Sequence, residues 1–251
     1  VVTGPFCDTK TATRQEEFSF DLTGITHIDL WLIPVLGGSH NMFSDAFALV
    51  LTSGWTWIAM YLTLLFVVIK NNETMAQIGL VILSCALCLL LADGMADGIM
   101  KPLTMRLRPI NDPEVREMIT LVAGVADKNY SFFSAHAANT MAISTFMALL
   151  MRNTRMTIAL LIWSLINCWT RIYLGMHYPS DIAAGLLWGM ISGALVYTGY
   201  RRAYTRLSPK LHFISSQYTK TGYGLADITL TINVMTASVI YAILRALTMT
   251  Y

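Results

Sequence analysis

The sequence predicts an all-α, polytopic transmembrane helical bundle of about six spans, preceded by an interfacial or re-entrant segment. Three observations carry this reading. Of 251 residues, 55% are hydrophobic and only 13% are charged, against about 25% charged in a soluble domain. Apolar runs approach the roughly 20 residues needed to cross a bilayer. Ionisable residues gather at the ends of those runs, where charge costs least beside hydrocarbon.

Residues 1–24 form a polar N-terminal segment with Cys7, Lys10, Arg14, Glu16 and Glu17, and they lack the apolar stretch of a secretory signal. Residues 25–251 read as a single transmembrane domain. The stretch 25–36 is apolar but contains Asp29 and Pro34, and Gly37-Gly38-Ser39-His40-Asn41 interrupts it before 43–51 resumes. A seventh span, a re-entrant pair and an interfacial helix all fit; a short helix followed by a bend is the expectation. Spans follow at 55–69, 75–100, 135–151, 156–174, 182–200 and 227–247. Cys85 and Cys88 lie inside an apolar helix, where free cysteine packs as a small hydrophobe, and with Cys7 and Cys168 they make no disulfide framework.

Loops 70–74, 152–155 and 201–222 fall on one side if each span crosses once. They hold Lys70, Arg152, Arg155, Arg201, Arg202, Arg206, Lys210 and Lys220 against Glu73 alone. The positive-inside rule puts them in the cytoplasm. The opposite ends then face outward, which in a Gram-negative cell is the periplasm. The expected location is therefore a bacterial inner membrane. A net charge of +2 gives no case for nucleic-acid binding.

Three polar islands interrupt the apolar chain on that outward side. Lys101 closes one helix ahead of Pro102, and Arg106, Arg108 and Pro109 follow. Arginine offers a planar fork for phosphate oxygens, and lysine a movable point charge; snorkelling to headgroups is the other reading of such residues. Asp93, Asp97 and Lys101 lie four apart on one helix face, so Asp97 either holds Lys101 or faces a wet crevice. In the second island Ser134 suits an N-cap, whose free N–H groups attract an anion, and His136 sits in the first turn. A histidine bonded to a loop carbonyl is its bland alternative. In the third, Arg171 and His177 fall on different faces of a continuous helix, but Gly175 and Pro179 end that helix between them. Asp181 follows His177 by four residues, near enough to take an imidazole N–H and leave the other nitrogen free to attack. Cations with two histidines and a carboxylate suit a phosphate group.

Lys101-x6-Arg108-Pro109, Ser134-x-His136 and Arg171-x5-His177-x3-Asp181 together resemble the three-part signature of the type-2 phosphatidic acid phosphatase superfamily. The resemblance implies that His177 is the nucleophile of a phosphohistidine route, that Asp181 orients it and that His136 protonates the leaving oxygen. It implies that Lys101, Arg108, Arg171 and Ser134 hold the phosphate, with no metal and no cofactor. Asp97, Thr170 and Ala135 are the supporting residues. Phe133 and Ala135 stand where the family usually has proline and glycine, and Thr170 where it often has serine. The extra methyl of Ala135 narrows the approach of backbone to phosphate, while Thr170 keeps its hydroxyl. Attack requires a neutral His177 and proton donation a charged His136, so a bell-shaped pH–rate profile is expected.

Within the family the layout resembles an undecaprenyl diphosphate phosphatase, through Ile28-Asp29-Leu30-Trp31, Gly38-Ser39-His40, Asp45 and a C-terminal helix after Ser215-Ser216-Gln217-Tyr218. Lipid A and phosphatidylglycerophosphate are rival substrates for the same chemistry. A protein that binds or translocates phospholipid without hydrolysis, and a phosphotransferase, are the readings of another class. The expected partners are a lipid phosphate and the bilayer, with no obligate protein partner.

Overall fold

The computed structural model describes residues 23–38, 41–120, 122, 125, 129–207 and 216–250. The polar N-terminal segment up to residue 22 lies outside them, as do Ser39, His40 and Ser215. The described chain is helical. Helix α1 is Thr23–Leu36, α2 Met42–Thr52, α3 Gly54–Lys70 and α4 Met75–Met95. Two short helices, α5 (Lys101–Thr104) and α6 (Pro113–Arg116), precede α7 (Ala135–Met151), α8 (Thr154–Tyr173), α9 (Pro179–Leu207) and α10 (Leu225–Thr250).

Each of the six expected spans is a helix. Four are long and apolar enough to cross a membrane alone: Met75–Arg116, Thr154–Tyr173, Pro179–Arg206 and Leu225–Thr250. Helices α2 and α3 together make a fifth candidate, bent by 64°. Carbonyls exposed by that bend are satisfied locally, since Thr56 Oγ1 donates to Val50 O and Trp57 Nε1 to Leu51 O. The stretch before them resolves as the short helix α1 and a break, as the glycines suggested. Helix α7 is a shorter apolar helix. Most of it is buried, from Ala137, Ala138 and Met141 to Phe146, Leu150 and Met151, with His136 and Leu149 exposed. A helix walled by other helices has no need of a lipid-length apolar face.

Helices α4, α8 and α9 surround α7, and α10 closes the bundle against α2 and α3. The largest apolar cluster draws on α2, α3, α4, α7, α8, α9 and α10, and in it Trp57, Phe146, Leu160 and Trp163 are almost wholly buried. At the pole away from the islands, Lys70 Nζ reaches Asp227 Oδ1 at 2.6 Å and Asn71 accepts from Gly224 N at 2.8 Å. Thr221 Oγ1 also donates to Met151 O there. The described parts of the basic loops therefore share one end of the bundle, as the charge pattern requires.

The α7–α9 contact is set by glycine. A Cβ on Gly185 would lie 2.6 Å from Ser134 O, one on Gly189 2.5 Å from Ala138 O, and one on Gly193 2.5 Å from Ala142 O. Small residues four apart let two backbones touch, the usual device of helix pairs in lipid. Gly189→Ala is expected to force the helices apart at a cost of about 1–3 kcal/mol, the ordinary range for overpacking. Thermal melting in detergent checks this, with Gly199→Ala as the control, because a Cβ there meets nothing within 4 Å.

Candidate active site

The three islands meet at one end of α4, α7, α8 and α9. Helix α4 leads into a π-helical turn, Ala96–Met100, before α5 opens at Lys101; such turns often mark functional sites. The turn leaves Lys101 buried, with its Nζ 2.5 Å from Asp97 Oδ1. Asp97 thus pairs with Lys101, the first of the two readings its spacing allowed. Asp93 instead accepts from Asn139 Nδ2 on α7 at 2.7 Å.

Met105 takes a left-handed conformation (φ 46°) and ends α5, so the chain reverses into Arg106 and Arg108. Arg108 is buried, with Nε donating to Asn129 O at 2.9 Å and Nη1 to Met176 O at 3.2 Å. Ser134 is the N-cap of α7, and its side chain accepts from Ala137 N at 3.4 Å. Its own N–H donates to Asp181 O at 3.2 Å, which joins the second island to the third. His136 follows on the first turn and is exposed. It lies within electrostatic reach of Arg171, His177, Lys101 and Arg108.

Helix α8 ends at Tyr173, and Gly175 turns the chain at φ +64°; a Cβ there would sit 2.6 Å from Ile110. Glycine is needed on both counts. The turn carries His177 inward, and Pro179 starts α9 at once. Arg171 bonds Thr52 at the end of α2, with Nη1 to Oγ1 at 3.1 Å. His177 and Asp181 are buried almost completely. Asp181 Oδ2 stands 3.7 Å from His177 Nδ1. That is longer than a hydrogen bond, as catalytic contacts often are before substrate binds.

Four residues beyond the predicted set belong to this site. Ser131 Oγ donates a short hydrogen bond to Asp181 Oδ2 and lies 3.5 Å from His177 Nδ1. Tyr178 N donates to the same Oδ2 at 2.9 Å. Arg106 Nη1 donates to Asp181 Oδ1 at 2.8 Å, and Nη2 to Asp29 Oδ2 at 2.6 Å. Arg106 and Asp29 are visible in the sequence as charges in apolar surroundings, which is a signal in itself. Ser131 has no such signal.

Two of the supporting residues are engaged within the bundle. Thr170 is fully buried and its hydroxyl donates to Asn167 O of its own helix, a local bond that turns it away from an anion. Ala135 packs in a cluster with Ala92, Ala96, Phe133 and Ala138, so its methyl fills the α4–α7 contact.

The geometry joins a buried histidine and carboxylate to cations from separate elements, and comparison with known proteins agrees. The PAP2 superfamily model matches residues 79–205. The chain belongs to the PAP2 superfamily. It is similar to a lipid A 4'-phosphatase of Bacteroides thetaiotaomicron, 34% identical over 175 residues, 69% of this chain and 77% of the relative. A lipid A 4'-phosphatase of Porphyromonas gingivalis is 29% identical over 187 residues, 72% and 77% of the two chains. The undecaprenyl-diphosphatase BcrC of Bacillus subtilis is 37% identical over 78 residues, 31% of this chain and 38% of that one. No solved structure matches. The protein is a membrane lipid phosphatase of the PAP2 type.

Burial drives the His177 imidazole down from 6.5 to about 4, with Asp181 opposing and Arg108 and Arg171 adding to the shift. A depressed pKa keeps the ring neutral at pH 7 and well below it. Between pH 6.5 and about 4 the unfolded chain binds the extra proton, so this contribution to stability is complete above 6.5 and declines as pH falls through that window. An acid limb governed by His177 is therefore expected near pH 4 in the pH–rate profile. A limb at 6.5 that tracks the ring's own titration by NMR would contradict it.

Proposed function

We propose that this protein removes the 4'-phosphate of a lipid A molecule at the outer face of a bacterial inner membrane, through a phosphohistidine on His177. Nδ1 of His177 faces Asp181 and Ser131, which leaves Nε2 as the attacking atom. Nε2 forms a bond to phosphorus as the ester P–O bond breaks, and His136 gives its proton to the departing oxygen. Water then attacks the phosphohistidine, His136 takes the proton back, and phosphate leaves. Lys101, Arg108 and Arg171 balance the charge of the phosphoryl oxygens, with the first-turn N–H groups of α7 behind Ser134.

The buried His177 with the Asp181 carboxylate beside it is the observation that carries the chemistry. The choice of lipid rests on the two lipid A 4'-phosphatases, each matched over more than two thirds of both chains. They shift the preference away from undecaprenyl diphosphate, which sequence alone favoured. That second reading keeps the support of the shorter match to BcrC. Either lipid suits the apolar groove of about 440 Å³ between α3, α4, α7 and α8, lined by Tyr61, Val81, Ile143, Met147 and Trp163. Asn139 and Thr140 also line it, and they lie one helical turn along α7 from His136. The outward orientation rests on the basic loops gathered at the opposite pole.

Purified protein in detergent, with EDTA present, is expected to release phosphate from lipid A faster than from undecaprenyl diphosphate. His177→Ala should abolish release, and His136→Ala should lower it about 10²–10⁴-fold. Faster turnover of the diphosphate would transfer the assignment to the second reading. A protein that bound both lipids and released no phosphate would be a non-hydrolytic headgroup binder.

A further inference from the structure

Asp29 on α1 is wholly buried and fully engaged. Its Oδ1 accepts from Ser180 N at 2.9 Å, and its Oδ2 from Ser180 Oγ at 2.6 Å and Arg106 Nη2 at 2.6 Å. Arg106 spends its other terminal nitrogen on Asp181 Oδ1 at 2.8 Å and Ser180 Oγ at 2.9 Å. The guanidinium lies 3.8 Å above the Tyr178 ring, whose hydroxyl donates to Asp112 at 2.7 Å. The Arg106 carbonyl accepts from Ser131 N at 2.8 Å, and Ser131 in turn donates to Asp181 Oδ2.

One part-buried guanidinium thus bridges two carboxylates that are themselves wholly buried. Such a triad is no source of stability by default, because desolvating the ions cancels most of their attraction, and apolar residues of similar volume often do better. Its geometry serves a different purpose. With Oδ1 of Asp181 held by Arg106, the carboxylate cannot rotate freely, and Oδ2 is turned to His177 Nδ1. The planar fork is what allows one side chain to fix two carboxylates at once. Lysine, a single point charge, cannot reproduce it.

We infer that Arg106 and Asp29 are positioning residues: Asp29 on α1 anchors the Arg106 fork, and the fork holds Asp181 in the rotamer that aims Oδ2 at His177. Neither residue touches phosphate; both act through Asp181. Helix α1 is thereby part of the catalytic apparatus, although it lies outside the matched family region at 79–205. The inference rests on the reading of His177 as nucleophile and Asp181 as its orienting group.

Steady-state kinetics of the full chain in detergent on lipid A and on undecaprenyl diphosphate, normalised to folded protein by thermal melting, test it. Asp29→Asn keeps the shape but removes the charge and exchanges one accepting oxygen for a donating NH2, and is expected to lower kcat about tenfold on whichever lipid turns over, with KM within about twofold, as misplacement of a catalytic group does. Arg106→Lys should lower kcat further. The double variant should be no slower than Arg106→Lys alone, since both act on one carboxylate. Wild-type kcat in Asp29→Asn, a loss confined to KM, or multiplied losses in the double variant would each overturn the inference. If Arg106→Lys does not fold, Asp29→Asn alone decides through its kcat. His177→Ala separates the two levels: activity persisting in that variant sinks the proposed mechanism itself. A dead His177→Ala beside a fully active Asp29→Asn sinks only the role of the clamp.

Discussion

Gly185, Gly189 and Gly193 let the backbone of α9 lie against the carbonyls of Ser134, Ala138 and Ala142, and most of the site's geometry depends on that contact. The catalytic loop before α9 and the N-cap of α7 are separate in sequence, and only the close packing of the two helices joins them. Ser134 N–H then reaches the carbonyl of Asp181. In lipid there is little hydrophobic drive between helices, so dispersion and backbone proximity must hold such a pair. A wider separation would leave His136 on one wall and His177 on another.

Within this frame the charges divide into two layers. Beneath His177 lie the buried Asp181 and Asp29, with the part-buried Arg106 bonded to both. Around the two histidines stand Lys101 and Arg108 from the stretch after α4 and Arg171 from the end of α8. The anionic layer can stabilise positive charge developing on the imidazole, and the cationic layer negative charge on a phosphoryl group. Burial keeps the imidazole neutral, which in the proposed mechanism lets the ring attack without first losing a proton.

The sequence made the chemistry legible because catalytic types sat at helix ends with unusual spacing. Ser134 as a cap and the Gly175–Pro179 break followed from local rules alone. Arg106 was harder, because it lies two residues from Arg108 in an irregular stretch. The left-handed turn at Met105 decides which of the two meets the carboxylates, and no periodicity announces it. Asp29 finds its partner 77 residues away, a pairing no local pattern encodes. Ser131 was silent for the same reason. At Thr170 the sequence shows a retained hydroxyl but not its partner, which helical geometry supplies at Asn167 O. The four-residue glycine spacing stood in the sequence as a sign of close packing, though not of which helix would meet it.

The exposure of His136 has a consequence for how such a protein diversifies. His177 and Asp181 are sealed inside the bundle, whereas His136 stands open on the side where, in the proposed mechanism, the alcohol departs. In that mechanism the centre grips the phosphoryl group and leaves the rest of the molecule ungripped. On the same proposal, discrimination between one lipid and another falls to the apolar walls of α3, α4 and α7, which share no side chain with the Asp29–Arg106–Asp181 triad. Those walls can drift under selection for a new lipid while the triad stays constant. On that proposal, chemistry and substrate range are written on separate surfaces of one small bundle.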